Sequence, residues 1–175
     1  MRGRSVLFAL AALVPVAAAH AAALTLTKSS TVVSDQLNLL IPRALPGSVV
    51  DYSILVTNPL ANLLTPVRGE VIADAVPDKM VLRVVDYGAA GSGPVEFADG
   101  NLLNLGLTGS GLALKFTNLS STTDGVEFFD GASWSYAPTP DANGYDVRVR
   151  AIRVTLTGTH VAGGSYRLRF RTRIK

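Results

Sequence analysis

The stretch YRLRFRTRIK, residues 166–175, decides the fold class of this 175-residue chain. Its apolar or small side chains alternate with basic ones, and successive side chains of a β-strand point to opposite faces of a sheet. The pattern therefore predicts a strand with one buried face and one cationic face. The residues predicted to lie on the buried face are Tyr166, Leu168, Phe170, Thr172 and Ile174.

The segment before this strand is also rich in arginine, but its alternation changes phase. Its apolar residues occupy odd positions up to Ala151 and even positions from Ile152 onward. A strand cannot keep both sets on one face without an extra residue, so we predict a β-bulge at Ala151-Ile152. We expect this strand to form a hairpin with the last one. The register then places three pairs of arginines opposite each other: Arg153 and Arg169, Arg150 and Arg171, Arg148 and Arg173.

Charge is divided unevenly along the chain. Eight of the sixteen Lys and Arg residues lie from Arg148 onward, and no acidic residue follows Asp146. Like charges directly opposite each other destabilise a sheet, so negative charge must compensate the repulsion between the arginines. Either carboxylates from the earlier part of the chain lie across them, or they bind an anionic glycan or lipid. The candidate anion-binding residues are Arg148, Arg150, Arg153, Arg167, Arg169, Arg171 and Arg173.

A second alternating stretch, VVDYSILV at residues 49–56, predicts another half-buried strand. Shorter strand candidates occur at 67–73, 81–87, 112–116 and 126–129, separated by Gly and Pro, and Asp130-Gly131 predicts a two-residue hairpin turn. Short strands at this spacing, without the period of an amphipathic helix, indicate an all-β antiparallel sandwich or barrel. In the strand predicted at 49–56, we expect the side chains of Asp51 and Ser53 to point outward. The side chains expected to point into the core are those of Val50, Tyr52, Ile54 and Val56.

The first residues have the layout of a secretory signal peptide. Arg2 and Arg4 precede an uncharged apolar run at 6–19, and small residues follow it. Cleavage is expected after Ala21 or Ala23, so residues 1–23 are the predicted signal and 24–175 a single β-sandwich domain. The alternative, a membrane anchor, needs a run of about 20 apolar residues, and this run is shorter. We therefore predict export to the periplasm, the cell surface or the medium, with no later transmembrane anchor.

Three segments of the chain resemble a known family. They are PGSVVDYSILVTN at 46–58, VIADAVP at 71–77, and the segment 128–146 that contains DGASW and PDANGYD. Together they resemble the conserved-repeat domain of bacterial cell-surface and secreted proteins, a family of unknown function with an immunoglobulin-like fold. The resemblance implies an immunoglobulin-like antiparallel β-sandwich, and it supplies no catalytic residues.

Composition excludes several kinds of chemistry. The chain has no cysteine and two histidines, His20 and His160, so disulfides, thiolate nucleophiles and multi-histidine metal centres are excluded. His160 lies in GTHVAGG at 158–164, a predicted hairpin loop, so we interpret it as a solvated loop residue. No nucleophile and orienting group that would make it catalytic accompany it. The three glutamates, Glu70, Glu96 and Glu127, occupy positions where alternation predicts outward polar side chains. We predict no enzymatic activity and no cofactor.

Two further groups of residues are candidates for binding. Asp141, Asn143 and Asp146 offer the oxygen ligands that calcium prefers, although Asp-Asn-Gly clusters also form ordinary turns. Trp134 and Tyr136 could form a platform on which sugars stack, or they could belong to the core of the sandwich, which we favour for Trp134.

These observations lead to one predicted function and one alternative. The first is an exported, non-enzymatic module with a structural or adhesive role in the bacterial envelope, where its partner is an envelope protein. The alternative is a domain that binds carbohydrate, anionic glycan or lipid through Trp134 and Tyr136 or through the arginines. Nucleic acid is not an expected partner of an exported protein.

Overall fold

The computed structural model describes residues 21–37, 40–100 and 108–175. Residues 1–20 of the predicted signal segment lie outside these ranges. Within them the chain is all-β, with thirteen strands and one 3-10 helix at Leu60–Asn62. The strands are β1 (Thr25–Ser34), β2 (Val49–Thr57), β3 (Val67–Arg68), β4 (Val71–Ala75), β5 (Met80–Arg83), β6 (Val95–Asp99), β7 (Thr108–Gly109), β8 (Leu112–Ala113), β9 (Val126–Phe129), β10 (Tyr145–Asp146), β11 (Ala151–Thr155), β12 (Thr157–His160) and β13 (Gly164–Ile174).

The predicted last strand, β13, lies at the centre of the largest sheet. One edge of β13 pairs with β2, which pairs in turn with β1. The other edge pairs with β7, β6 and β5 at successive positions along its length, and β10 pairs with β5. These pairings are antiparallel except for the parallel one between β13 and β7.

Two three-stranded sheets, in the orders β4-β11-β9 and β3-β12-β8, lie on the other side of the core. β11 and β12 are the middle strands of these two sheets. They follow one another in the chain, since β11 ends at Thr155 and β12 begins at Thr157. Between them the Leu156 N–H donates to the Glu70 carbonyl oxygen at 2.9 Å. This bond joins the two small sheets, so that they act as one antiparallel layer.

Apolar side chains of both layers meet in one core. Leu168 and Phe170 from β13 pack in the same cluster as Ile152 and Val154 from β11, and all four are at most 3% exposed. Burying an apolar side chain of this size contributes about 1.5–3 kcal/mol to stability. The fold is therefore sandwich-like, and alternation along β13 and β11 directs their apolar faces toward each other.

The predicted faces of β2 are confirmed. Val50, Ile54 and Val56 are 4%, 3% and 0% exposed. The partly buried ring of Tyr52 packs on the core and stacks on Phe170, with the ring centroids 5.4 Å apart. Asp51 lies on the opposite face of the sheet, where it contacts arginines of β13.

The predicted hairpin of the last two long strands is wrong. β11 pairs with β4 and β9, whereas β13 belongs to the other layer. Two amphipathic strands that are close in sequence can bury their apolar faces against each other across a core as well as side by side. The arginine pairs predicted from the hairpin register are therefore not opposite one another in a sheet.

The predicted bulge at Ala151-Ile152 is also wrong, because β11 pairs with both neighbours without a change of register. The alternation changes phase there because β10 ends at Asp146 and residues 147–150 are not in a strand. Val147 is accordingly exposed. The expected two-residue turn at Asp130-Gly131 is a longer loop, since the next bridge joins Phe128 to Tyr136.

Among the described residues, no helix has the length and apolar character needed to span a lipid bilayer.

Candidate binding surface

The outward face of β13 presents four arginines in a row, and the neighbouring strands bring carboxylates to them. The pairing register places Asp51 of β2 opposite Arg171, and Glu96 of β6 opposite Arg169. Both carboxylates lie far from the arginines in sequence. The charge asymmetry of the chain is thus matched across strands in the folded sheet.

Arg169 is held by two carboxylates. Its Nε and Nη2 donate to the two oxygens of Glu96, with Nη2 at 2.7 Å, and its Nη1 lies 3.9 Å from Asp51. Two parallel hydrogen bonds of this kind are the strongest arginine–carboxylate geometry. The bond with Glu96 raises the pKa of Arg169 above its ordinary value.

Asp51 is shared among three groups. It accepts a hydrogen bond from the Tyr87 hydroxyl at 2.6 Å and lies 3.3 Å from Arg171. The guanidinium groups of Arg169 and Arg171 cover the Tyr87 ring, at 5.1 and 4.5 Å from its centroid. Burial, and then the bond to Asp51, raises the pKa of Tyr87 to about 12. This part of the surface is a closed network of paired charges.

The same combination of a carboxylate and an aromatic ring recurs at three more arginines. Each guanidinium contacts an acidic residue at 2.8–3.5 Å and lies 4.2–4.7 Å from the centroid of a ring. Cation–π contacts of this kind add about 0.5–1 kcal/mol at exposed sites. The three sets are Arg148 with Asp130 and Tyr136, Arg153 with Glu127 and Trp134, and Arg173 with Asp141 and Tyr145.

Of the seven arginines predicted to bind anions, five therefore contact carboxylates of the same chain. For those five, the structure favours pairing within the chain over binding of an anionic glycan or lipid. Arg150 is exposed and Arg167 is half-buried, and neither makes an ion pair within the described ranges. The Arg167 Nε is shielded from solvent and has no hydrogen-bond acceptor there. Its neighbours in the register, Leu55 and Ala98, offer no carboxylate.

Arg167 lines a groove of about 320 Å³ on the outward face of β1, β2 and β13. The groove is mostly polar, with hydroxyl groups on the β1 side and arginines on the β13 side. The remaining lining residues are Ser29, Thr31, Val33, Asp51, Ser53 and Arg169.

The calcium candidates bind protein donors. Asp141 accepts backbone N–H bonds from Asn143 and Tyr145 at 2.8 and 2.9 Å, and the Tyr145 bond lowers the pKa of Asp141. Asp146 accepts from the Tyr136 hydroxyl at 2.6 Å and from backbone N–H groups. Within residues 21–37, 40–100 and 108–175, no three His, Cys, Asp or Glu residues are grouped so that they could hold a metal ion. These carboxylates organise the segment around β10, between β9 and β11.

Trp134 and Tyr136 do not form one stacking platform. Trp134 packs between Phe129 and Arg153, with its ring centroid 5.1 Å from that of Phe129. Arg148 covers Tyr136. Trp134 is half-buried and lies outside the core cluster, so its expected core position is wrong.

Two larger grooves, of about 430 and 530 Å³, lie on either side of Phe116. Each contains one carboxylate. Glu96 in the first binds Arg169, and Asp86 in the second accepts N–H bonds from Gly91 and Gly93 at 2.9 and 2.7 Å. Both acidic groups are therefore engaged in holding the local structure.

Sequence reasoning missed a buried polar cluster. His160, predicted to be solvated, is 1% exposed on β12, and Glu70, predicted to point outward, is 6% exposed. The His160 Nδ1 lies 2.6 Å from Glu70 Oε1, and the Tyr166 hydroxyl donates to Glu70 Oε2 at 2.8 Å. Glu70 lies 90 residues before His160, and no local pattern connects them. Their burial depends on the close approach of β3 and β12.

A scan of protein-family models, a search of curated proteins and a search of solved structures each find nothing that matches this chain.

Proposed function

We propose that the chain is an exported, non-enzymatic module with an immunoglobulin-like β-sandwich fold and a structural role in a bacterial envelope. We further propose that it assembles with a second copy of itself through the edge of β1. The signal-like first residues and the three resembling segments support export and the immunoglobulin-like fold. The observation that carries the structural role is the open edge of β1.

β1 is a ten-residue strand that pairs with β2 along one edge. No strand of the described residues pairs with its other edge. An unpaired strand edge is a template for another strand, and proteins usually protect it with charges, proline or a short length. β1 has one charged residue, Lys28, which binds Asp74 at 2.7 Å, and β1 contains no proline. This edge is therefore open.

A second copy is the occupant that the sequence of β1 fits. A two-fold axis perpendicular to the sheet pairs two identical edges antiparallel. Residues directly opposite each other in the two copies then project from the same side of the combined sheet. With the axis at Ser29, each Leu26 faces Val32 of the other copy, and each Lys28 faces Ser30. Leu26 is 53% exposed in the single chain, so this register buries apolar surface without opposing two lysines.

Cysteine crosslinking tests this arrangement directly, because the chain has no native cysteine. In the pairing proposed, Ser29→Cys places the two thiols across the axis and yields a disulfide-linked dimer on mild oxidation. Ser30→Cys, whose side chain faces Lys28, is the matched control and yields much less. Light scattering on the unmodified protein should give a dimer. A monomer at all concentrations, with equal crosslinking by the two variants, would contradict the assembly.

Export is tested separately by expressing the full chain in a bacterium and fractionating the cells. The periplasm or medium should contain a protein shortened by the signal segment. An uncleaved protein that stays in the cytoplasm would overturn export, whatever the oligomeric state.

A further inference from the structure

Among the residues that the structure describes, the charges on the outward face of β13 leave one arginine without a counterion. The part of this face that adjoins β2 and β6 has three arginines, Arg167, Arg169 and Arg171, and two carboxylates, Asp51 of β2 and Glu96 of β6. Both carboxylates lie within 4.0 Å of Arg169 or Arg171. Arg167 is therefore the source of one net positive charge at this position.

The groove beside Arg167 contains hydroxyl groups that have no partner within the described residues. Ser29 and Ser53 lie directly opposite each other in the β1–β2 register, and Thr31 lies opposite Asp51. Within residues 21–37, 40–100 and 108–175, none of the three hydroxyls makes a hydrogen bond. Together with the guanidinium they line the groove with hydrogen-bond donors.

Asp51 adds an acceptor at the same groove. Its carboxylate is fixed by Tyr87 and Arg171 and lies at the groove wall, where a ligand hydroxyl could donate to it. A bare anion would be repelled by this carboxylate, whereas a hydroxylated anion could satisfy both charges. The volume of about 320 Å³ lies at the lower end of small-molecule pockets, enough for one sugar residue.

We propose that this groove binds a sugar acid residue of an acidic polysaccharide. Its carboxylate pairs with Arg167, and its hydroxyl groups bind Asp51 and the serine and threonine hydroxyls. The proposal goes beyond the structural role above and does not require a second copy, since all the groups that it uses belong to one chain. Of the seven arginines predicted to bind anions, it assigns this role to Arg167 alone.

The test compares a glucuronic acid-containing tetrasaccharide with its carboxyl-reduced, neutral form. Titrations followed by ¹H–¹⁵N NMR on the full folded domain should show shifts in β1, β2 and β13 with the acidic sugar and little change with the neutral one. Arg167→Gln should weaken binding of the acidic sugar about ten-fold, the loss expected for one charge-assisted bond. Binding should also weaken as salt is raised, because the pair is partly exposed.

Arg173→Gln is the matched control, because it removes an arginine of the same strand and face that pairs with Asp141 away from the groove. It should change the affinity less than two-fold. Thermal unfolding of both variants checks that the fold is intact. Equal binding of the two sugars, equal effects of the two variants, or no binding at low salt would overturn the proposal. Full competition by inorganic sulfate or phosphate would show a simple anion site and would likewise overturn it.

Discussion

The imidazole of His160 lies between two oxygen atoms, which determines how many protons it can hold. Its Nε2 lies 3.0 Å from the Gly164 carbonyl oxygen, which can only accept, so Nε2 carries a proton. One further proton lies between Nδ1 and the Glu70 carboxyl group, on one partner or the other. Without that shared proton, two acceptors would face each other in the core.

Glu70 gives the first prediction. Glu70→Ala leaves the His160 Nδ1 and the Tyr166 hydroxyl buried without a partner and should lower the free energy of unfolding by about 3–5 kcal/mol. Glu70→Gln should cost clearly less, because an amide can accept from Tyr166 and donate to a neutral His160. Urea unfolding of both variants measures the difference. Equal losses would show that the carboxylate charge, not the hydrogen-bond count, stabilises the cluster.

Tyrosine ionisation gives the second prediction. Burial raises the pKa of Tyr87 to about 12, and burial followed by hydrogen bonds to acidic residues also raises the pKa of Tyr136 and Tyr166. Because these folded pKa values exceed the ordinary value near 10, the resulting stability is complete below pH 10. It is lost as pH rises through the folded values.

Phenolate absorbance near pH 11 measures this effect. The native protein should ionise fewer of its five tyrosines than the urea-unfolded chain does. Tyr87→Phe removes one of the protected groups and should narrow the difference. Identical native and unfolded titrations would contradict the prediction.

The position of signal cleavage is the third prediction. The Ala22 N–H donates to the Asn62 Oδ1 at 2.6 Å, and the buried Asn62 side chain donates back to the Ala22 carbonyl oxygen and to Asn58. Cleavage after Ala21 keeps the two bonds between Ala22 and Asn62, whereas cleavage after Ala23 removes both and leaves Asn62 with Asn58 alone. Mass spectrometry of the exported protein should find Ala22 as its first residue. A protein beginning at Leu24 would contradict this.

At the level of elements, β2 gives the fourth prediction. Ile54→Asp places an unpaired charge in the core between the layers and should prevent folding, as seen by loss of a cooperative thermal transition. Ser53→Asp changes the adjacent residue on the outward face, near Arg169, and should fold normally. A cooperative transition in the Ile54 variant would mean that the face of β2 is wrongly assigned.

The elements also show how far the sequence could be interpreted. The buried and outward faces of β2 and β13 follow from strict alternation, because a period of two assigns every side chain to a face. The partner of each strand does not follow from alternation. β11 and β13 carry the same pattern, and only the packing of the complete chain places them in opposite layers. The pairing of Arg153 with Glu127 and of Arg169 with Glu96 depends on that choice. Pairing of the arginines with carboxylates could therefore be predicted as one of two possibilities, but the individual partners could not.

At the scale of the whole molecule, β13 gives the fifth prediction. A chain shortened to end at Ala162 lacks the strand that pairs with β2, β5, β6 and β7, and we expect it to be unfolded by circular dichroism. A chain that begins at Ala22 keeps every described strand and should unfold at the same temperature as the longer one. If the chain that ends at Ala162 folded, β1 and β2 would form a stable unit without β13.

The central position of β13 also determines the order of events when the chain emerges from a narrow passage. Its partners span residues 49–109, and all of them appear before the strand that must lie between them. A chain threaded with its first residues leading would expose β2 and β6 while their common neighbour is still on the far side. Closure of the sheet then waits for the last strand, because long-range pairs form late. Such a topology keeps an emerging chain loose until β13 itself has emerged.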